Sequence, residues 1–343
     1  MKCVELFAGA GGAALGLEAA GIEHAALCEW DPDACATLRA AGLGPVVEGD
    51  VRDLDAIAAT VGPEPVDLLW SSFPCQAFSM AGKRLGASDE RNGWPWTVDA
   101  IDRFRPWWFL AENVYGLLTH STEGHPDPFA CPRCYFETVI LAQLRERFAH
   151  VGWWLLDAAD FGVPQHRRRV IIWAGSVPLS APRPTHGSPA EARQRDLFGC
   201  GVLPWVTMGE ALGLQNHAVA PNRRPPKILT HRPSPTIDNH FGVTGDNYEQ
   251  AVRIITGVQS DSQRRLKVGE CAILQSFPSS HPWQGSQTAQ YRQVGNAVPP
   301  RLAEVVGRAV MDAEGRMATP SPKPTTAEPH ATPRTAPGSV PAS

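Results

Sequence analysis

The chain reads as an α/β protein with a doubly wound, nucleotide-type sheet and a smaller loop-rich lobe. Three observations point there. The N-terminus opens with strand, glycine turn and helix, the first unit of such a sheet, and two similar units follow. The length of 343 residues, 43% of them hydrophobic, suffices for one large α/β domain plus a smaller lobe. After Gly175 the composition turns to Pro, Arg and Asn with only short apolar runs, and helical periodicity returns at Val268.

Cys3–Phe7 is the first strand. Ala8-Gly9-Ala10-Gly11-Gly12 is its turn, and a helix-like Ala13–Ala20 ends at Gly21. The glycines permit a tight turn and close approach of backbone N–H groups to a ligand. The pattern is not G-x-G-x-x-G, so a pyrophosphate cradle is not the obvious reading. Ala25–Cys28 is the second strand, with Glu29-Trp30-Asp31 at its tip and a helix over Pro32–Ala41 closed by Gly42. Glu29 is placed to accept hydrogen bonds from ribose hydroxyls, with Trp30 beside it to stack on an adenine. The alternative is that the acids cap the helix, which suits Asp31 better than Glu29, one position too early. Val46-Val47 is the third strand, with Gly49-Asp50-Val51 at its tip. Asp50 either reaches an adenine amino group or simply opens the next turn.

The fourth strand, Asp67–Trp70, runs into Ser71-Ser72-Phe73-Pro74-Cys75-Gln76. Pro74 fixes its own φ and biases Phe73 toward an extended conformation, so the loop leaves at a defined angle. Cys75 thereby stands at the carboxyl end of a strand, where open α/β sheets place ligands. The competing reading is a buried, inert cysteine. Residues 77–96, rich in Gly, Ser and charges, read as a movable active-site loop. Val98–Phe104 is a helix and Trp107–Leu110 a strand ending at Glu112-Asn113-Val114, a carboxylate on the same sheet edge as Cys75.

Thr119–Tyr135 reads as an insertion holding His120, His125, Cys131 and Cys134. One C-x-x-C with two nearby histidines either binds zinc or pins a loop, and no metal site is assigned. Phe136–Phe148 is an amphipathic helix and Trp153–Ala158 a strand leading to Gln165. His166-Arg167-Arg168-Arg169 lies between that strand and Val170–Ala174. A basic run is ordinarily a solvated face, but between core strands it suits a phosphate or base contact. Val268–Leu274 is helical, Gln293–Pro300 a turn, and Arg301–Ala313 a helix. Residues 317–343, nearly all Pro, Ala, Thr and Ser, read as disordered.

The net charge of −4 argues weakly against a nucleic-acid partner, but its distribution is uneven. Residues 1–174 hold 14 Lys+Arg against 23 Asp+Glu, a balance of −9, whereas residues 175–267 hold 11 against 7, a balance of +4. The middle segment is the natural phosphate-facing surface. Eight scattered cysteines in a chain of this length need no disulfide framework and fit a reducing, cytoplasmic setting. No run approaches the ~20 apolar residues of a membrane span, and no secretion signal opens the chain.

In this order the pieces resemble the DNA (cytosine-5) methyltransferases, over roughly residues 3–312. Phe7-Ala8-Gly9-Ala10-Gly11-Gly12 resembles that family's first signature, Pro74-Cys75-Gln76 its nucleophile motif and Glu112-Asn113-Val114 its acid motif. Gln165-His166-Arg167-Arg168-Arg169 resembles its basic motif. Arg265 to Pro278 and Gly295-Asn296-Ala297-Val298-Pro299-Pro300 resemble its last two blocks.

The resemblance implies a Rossmann-like S-adenosylmethionine-dependent methyltransferase sheet over 1–175, a target-recognition lobe at 176–263, and a C-terminal part, 264–316, returning to the catalytic domain. Cys75 would attack C6 of a flipped-out cytosine in double-stranded DNA, making C5 an enamine carbon that takes the methyl group. Glu112 would hydrogen-bond N3 as general acid. Arg167 and Arg169 would point one way, with Arg167 expected to touch O2. S-adenosylmethionine would meet Phe7, Gly9, Gly11, Gly12, Glu29, Trp30, Asp50, Val51, Pro74 and Asn296. Gln76, Ser79, Gln165, Thr236 and Ile237 would face the substrate. The 91–96 segment is bulkier than usual in the family. The absence of a regulatory domain before the first signature favours the bacterial type, a nucleoid-associated monomer with a cognate restriction endonuclease as a candidate partner. The rivals are a tRNA cytosine-5 methyltransferase on the same fold, against which the long lobe argues, and a catalytically dead DNA-binding module, which would lack Cys75, Glu112 or Arg167.

Overall fold

The computed structural model describes residues 1–74, 92–119, 131–196, 201–213, 232–234, 236–237, 254–255, 263–264 and 266–318. Among these, β1 (Lys2–Leu6), β2 (Glu23–Glu29), β3 (Val46–Glu48), β4 (Leu68–Ser71), β5 (Trp108–Val114), β6 (His150–Asp157) and β7 (Arg168–Gly175) form one seven-stranded sheet. The strand order is β3-β2-β1-β4-β5-β7-β6. β1 pairs in parallel with both β2 and β4, while β7 runs antiparallel between β5 and β6. β4 is buried throughout and β5 and β7 nearly so, which is why they read as continuous apolar runs rather than alternating ones. The chain reverses its direction of travel across the sheet between β1 and β4, the switch point where ligands of such sheets bind.

On one face lie α3 (Leu54–Val61), α4 (Trp94–Phe104) and a helix built from α5 (Pro132–Tyr135), a π-helical stretch Phe136–Ile140 and α6 (Leu141–Arg145). Their Ile57, Ile101, Phe136 and Ile140 pack on Leu69, Phe109 and Ile172. On the other face α1 (Gly12–Ala19) lies along α11 (Pro300–Ala318), and Leu17, Leu302, Val306 and Val310 cover Trp70, Trp108 and Ile171. The closeness of α1 and α11 has a local cause: a Cβ at Gly16 would collide with the Pro300 carbonyl oxygen. α2 (Pro32–Ala40) begins with proline at its first position, and Asp31 caps it by accepting from Asp33 N–H at 3.0 Å.

A third core joins Met208 and Ile237 of the lobe to α9 (Val268–Leu274) and α10 (Gln287–Asn296) through Leu266, Cys271, Leu274, Tyr291 and Val294. The described part of the lobe also holds a short parallel pair, β8 (His186–Gly187) and β9 (Leu203–Pro204), flanked by α7 (Pro189–Asp196) and α8 (Met208–Ala211), and a second pair, β10 (Ile254–Ile255) with β11 (Gln263–Arg264).

The structure departs from the sequence reading at several places: α4 begins at Trp94, inside the stretch read as a loop through residue 96, because Pro95 takes a first-turn position where its missing N–H is not needed, and β6 begins at His150, three residues early. α10 occupies ground read as a turn from Gln293; Ser286 caps it, and it buries Gln293 and Gly295 alongside Tyr291, so no clean apolar stripe announces it. β5 continues through Glu112-Asn113-Val114, so the carboxylate lies within the strand rather than beyond it. The helix after the insertion starts at Pro132, four residues before Phe136. Of residues 317–343, read as a disordered tail, 317 and 318 belong to α11, which runs through Ala318, and 319–343 lie outside the described residues.

Candidate active site

Phe7–Gly12 makes the turn after β1 at the switch point. Phe7, Gly9 and Gly11 have φ of 58, 56 and 83°, a left-handed path that costs little at glycine but strains a phenylalanine. Gly9 N–H donates to Glu29 Oε2 at 2.7 Å, while Trp30 and Asp31 N–H donate to Oε1, both at 2.9 Å. Burial raises the Glu29 pKa above its ordinary value, and the three N–H groups pull against that. A carboxylate has about four acceptor positions, so Glu29 retains one for a hydroxyl group. A Cβ built on Gly9 meets nothing within 4 Å, whereas one on Gly12 would strike the Val298 carbonyl. Of these two glycines, then, Gly9 faces open space and Gly12 serves the packing of the C-terminal block.

Around this turn the expected cofactor residues separate. Trp30 is 78% exposed and free to cover a planar ligand. Val51 is buried in the core and serves packing. Asp50 turns onto Arg52, accepting from its Nε at 3.0 Å on both oxygens, from its Nη2 at 2.5 Å and from its backbone N–H at 2.9 Å. The Arg52 hydrogen bonds hold the Asp50 pKa below the usual carboxylate range. In this arrangement Asp50 is engaged and makes no free adenine acceptor. The same guanidinium lies 5.1 Å over the ring of Trp96, which stacks on Phe7 with centroids 6.5 Å apart and planes inclined by 28°. Trp96 therefore joins Phe7 at the mouth of the turn. Sequence reading saw it only as unusual bulk, because nothing local says which aromatic faces a site.

Cys75, Gln76 and Ser79 lie outside the described residues; both flanks of their segment are tightly held. Before it, Asn113 Nδ2 donates to the Phe73 carbonyl at 3.1 Å, and a Cβ at Gly93 would strike Pro74 Cδ. After it, Asn92 Nδ2 donates to Tyr135 Oη at 2.9 Å, and Trp94 Nε1 donates to Gln143 Oε1 at 2.8 Å. Asn92 and Tyr135 were not singled out from the sequence; their partners are distant in the chain and no local pattern marks them.

Glu112 and Arg169 form a buried ion pair, Nε to Oε1 at 2.6 Å. The antiparallel register explains the meeting: Val114 pairs with Arg169 and Glu112 with Ile171, so the two side chains share a face one step apart. Arg168, on the opposite face, sits 4.6 Å over the ring of Tyr115.

Arg167, expected to be the arginine at the base, is placed differently. It is 1% exposed and donates from Nη1 to the Ile237 carbonyl at 2.6 Å and from Nη2 to those of Gly295 and Ala297 at 2.8 and 2.9 Å. It ties the sheet to the lobe and to the C-terminal block. Arg167 and Arg169 do lie on one side of the strand, but Arg169 is the one beside Glu112. Gln165, expected at the substrate, is fully buried, accepts from Ile237 N–H at 3.2 Å, and bridges Ser234 through its backbone. Ile237 is likewise buried in the third core, and Thr236 Oγ1 donates to the His166 carbonyl at 2.8 Å. Asn296, the last residue of α10, is exposed. Gln165, Thr236 and Ile237 thus join residues 234–237 to the segment before β7, and Asn296 lies between Gly295 and Ala297, whose carbonyls take Arg167. Among the described residues no group of three His, Cys, Asp or Glu could hold a metal ion. Cys131 and Cys134 form no disulfide, and their thiols share a hydrogen bond that raises the Cys134 pKa, whereas His120 and His125 lie outside the described residues. No described helix is long and apolar enough to cross a membrane.

Residues 1–196 and 215–312 match the family model described as C-5 cytosine-specific DNA methylase. The chain is 34% identical over 329 residues to the type II methyltransferase M.NgoMIV of Neisseria gonorrhoeae, covering 90% of this chain and 97% of that protein. It is 31% identical over 343 residues to M.NaeI of Lentzea aerocolonigenes, covering 92% and 77%. Among solved structures, a prophage-encoded putative DNA modification methyltransferase from E. coli superposes with a TM-score of 0.61 at 18% identity, covering 92% of this chain and 99% of that one. The Dnmt2 methyltransferase of S. pombe does so with a TM-score of 0.60 at 15% identity, covering 93% and 100%. At such identities the superpositions establish the shared fold.

Proposed function

The chain belongs to the C-5 cytosine-specific DNA methylases, and from that membership we propose how its own residues divide the work. Cys75, delivered by the loop after β4, attacks C6 of a cytosine turned out of duplex DNA. The new S–C6 bond uses the C5=C6 electron pair to make C5 nucleophilic. Glu112 hydrogen-bonds N3 and offsets the charge that attack creates. Arg169, rather than Arg167, holds the Glu112 carboxyl group and reaches the O2 edge. After methylation the C5 proton leaves and the S–C6 bond breaks, returning the thiolate. The 2.6 Å ion pair of Glu112 with Arg169, at the sheet edge that Pro74 also reaches, is the observation that carries this reading.

The residues around the glycine turn fit S-adenosylmethionine: an open cradle at Gly9, a buried carboxylate at Glu29 with one acceptor position left, and half-exposed rings at Phe7 and Trp96. Bound there, S-adenosylmethionine supplies an electrophilic methyl group. Glu29 takes a ribose hydroxyl, Phe7, Trp30 and Trp96 exclude water from the adenine, and Asp50 meets the amino group only after yielding part of its contact with Arg52. The type II designation of the relatives supports a restriction-modification role with a cognate endonuclease.

The test is transfer of tritiated methyl groups from S-adenosylmethionine to unmethylated duplex DNA, followed by nucleoside analysis, with bulk tRNA in parallel. Label in 5-methylcytosine of DNA, strongly reduced in Arg169→Ala and retained in preparations of folded Arg167→Lys, is the expected result. Label confined to tRNA, or Arg169→Ala as active as the unaltered enzyme, would overturn the proposal.

A further inference from the structure

The glycine turn is gripped from two sides. Glu29 takes the Gly9 N–H, and one residue further on the Ala10 carbonyl oxygen lies 3.1 Å from Nε2 of His281. A carbonyl can only accept, so Nε2 carries the proton and donates. His281 comes from the segment between α9 and α10, 271 positions away in the chain, and it is buried. Its ring is wedged against Phe277 and Trp283, with centroids 4.9 and 4.6 Å away. Phe277 also abuts Gly12, since a Cβ there would come within 3.1 Å of the Phe277 ring. Burial keeps the His281 pKa below its ordinary value, which favours a neutral imidazole with one committed N–H.

The turn needs such a grip. Three of its residues, including Phe7, have positive φ, and backbone of this kind persists only where the surroundings over-determine it. Glu29 orients the peptide before Gly9; the Ala10–Gly11 peptide is held at its N–H, which donates to the Ala8 carbonyl at 3.1 Å, and at its carbonyl, where His281 is the partner.

We propose that His281 is a positioning residue for the methyl-donor site: its hydrogen bond to the Ala10 carbonyl fixes the peptide that closes the cradle at Gly9. This rests on the reading of that cradle as the S-adenosylmethionine site. A ring that merely fills space makes the opposite prediction, because phenylalanine would then replace it without loss.

The experiment compares His281→Phe, which keeps a ring and loses the donor, with His281→Gln, whose amide nitrogen matches the reach of Nε2. Steady-state methylation is measured with S-adenosylmethionine and DNA varied separately, and calorimetric titration of S-adenosylmethionine into each protein without DNA gives the binding constant. Loss of one donor to a buried carbonyl predicts a rise of about tenfold in KM and Kd for S-adenosylmethionine in His281→Phe. KM for DNA and kcat at saturating cofactor should stay within about twofold, and His281→Gln should recover most of the affinity. Equal cofactor affinity in His281→Phe and the unaltered protein, or His281→Gln weaker than His281→Phe, overturns the proposal. If His281→Phe does not fold, His281→Gln at native affinity supports it and His281→Gln with a tenfold loss overturns it. Failure of the unaltered protein to bind S-adenosylmethionine would instead overturn the cofactor reading, and this inference with it.

Discussion

Replacing Arg167 by alanine should dismantle the joint between sheet, lobe and C-terminal block while leaving the pairing of Glu112 with Arg169 chemically intact. The guanidinium makes three hydrogen bonds to backbone carbonyls from Ile237, Gly295 and Ala297, all buried. Bonds to a charged donor contribute about 1.5–3 kcal/mol each, but three on one side chain do not add, and breaking a buried, paired charge typically costs about 3–5 kcal/mol. A loss near 4 kcal/mol corresponds to an apparent Tm lower by roughly 8–16 °C, at about 2–4 °C per kcal/mol for large domains. The assay is thermal unfolding followed by circular dichroism, with Arg169→Ala alongside. We expect Arg167→Ala to lose stability first, and Arg169→Ala to lose methyl transfer with a smaller shift in Tm. An Arg167→Ala protein melting within about 2 °C of the unaltered chain would refute the reasoning, since a buried charge with three partners cannot be that cheap to remove.

Glu112→Gln keeps the shape but removes the proton donor, so kcat should fall by about 10²–10⁴ while gel-shift binding of duplex DNA persists; a rate within tenfold of the original would discount Glu112 as the acid. Gly16→Val drives a side chain into the Pro300 carbonyl and should cost about 1–3 kcal/mol in urea unfolding, whereas Gly269→Ala, with nothing within 4 Å, should be neutral or slightly stabilising. Equal midpoints for the two would mean that α1 and α11 are not in close contact. The lowered pKa of His281 has a definite sign: the unfolded chain takes up a proton near its ordinary value of 6.5 before the folded one does, so stability is unaffected above that pH and declines below it. The Tm of the unaltered protein should therefore fall more between pH 7 and pH 5.5 than that of His281→Gln, and parallel curves would argue against it.

Much of this molecule was legible before any coordinates. Alternating strands, glycine turns and capping residues such as Asp31 encode local structure directly, and β1, α1, β2 and α2 lie within a residue or two of their expected bounds. The carboxylate of Glu112 was legible as one carried by this strand, although as a strand tip rather than a position inside β5. The different surroundings of Arg167 and Arg169 were not. Two arginines two positions apart on a strand look equivalent in sequence, and their partners are decided by what covers that face: Glu112 from β5 for one, carbonyls of Gly295 and Ala297 from 128 and 130 positions away for the other. The same holds for Gln165 and Ile237, which read as substrate contacts but meet each other across a buried hydrogen bond. His281 and Trp96 gave no local signal at all; each acquires meaning only from the turn at Phe7–Gly12. α10 escaped because its buried side includes glutamine and glycine. Long-range packing, not local propensity, separates what was read correctly from what was not.

The account stands or falls on Cys75 as the nucleophile that lets this chain methylate cytosine. The measurement that bears on it most directly is bisulfite sequencing of unmethylated DNA incubated with S-adenosylmethionine and either the unaltered protein or Cys75→Ser. The account predicts conversion-resistant cytosines in one short sequence context with the unaltered protein and none with Cys75→Ser. Full conversion at every cytosine with the unaltered protein, or equal protection by Cys75→Ser, would contradict it.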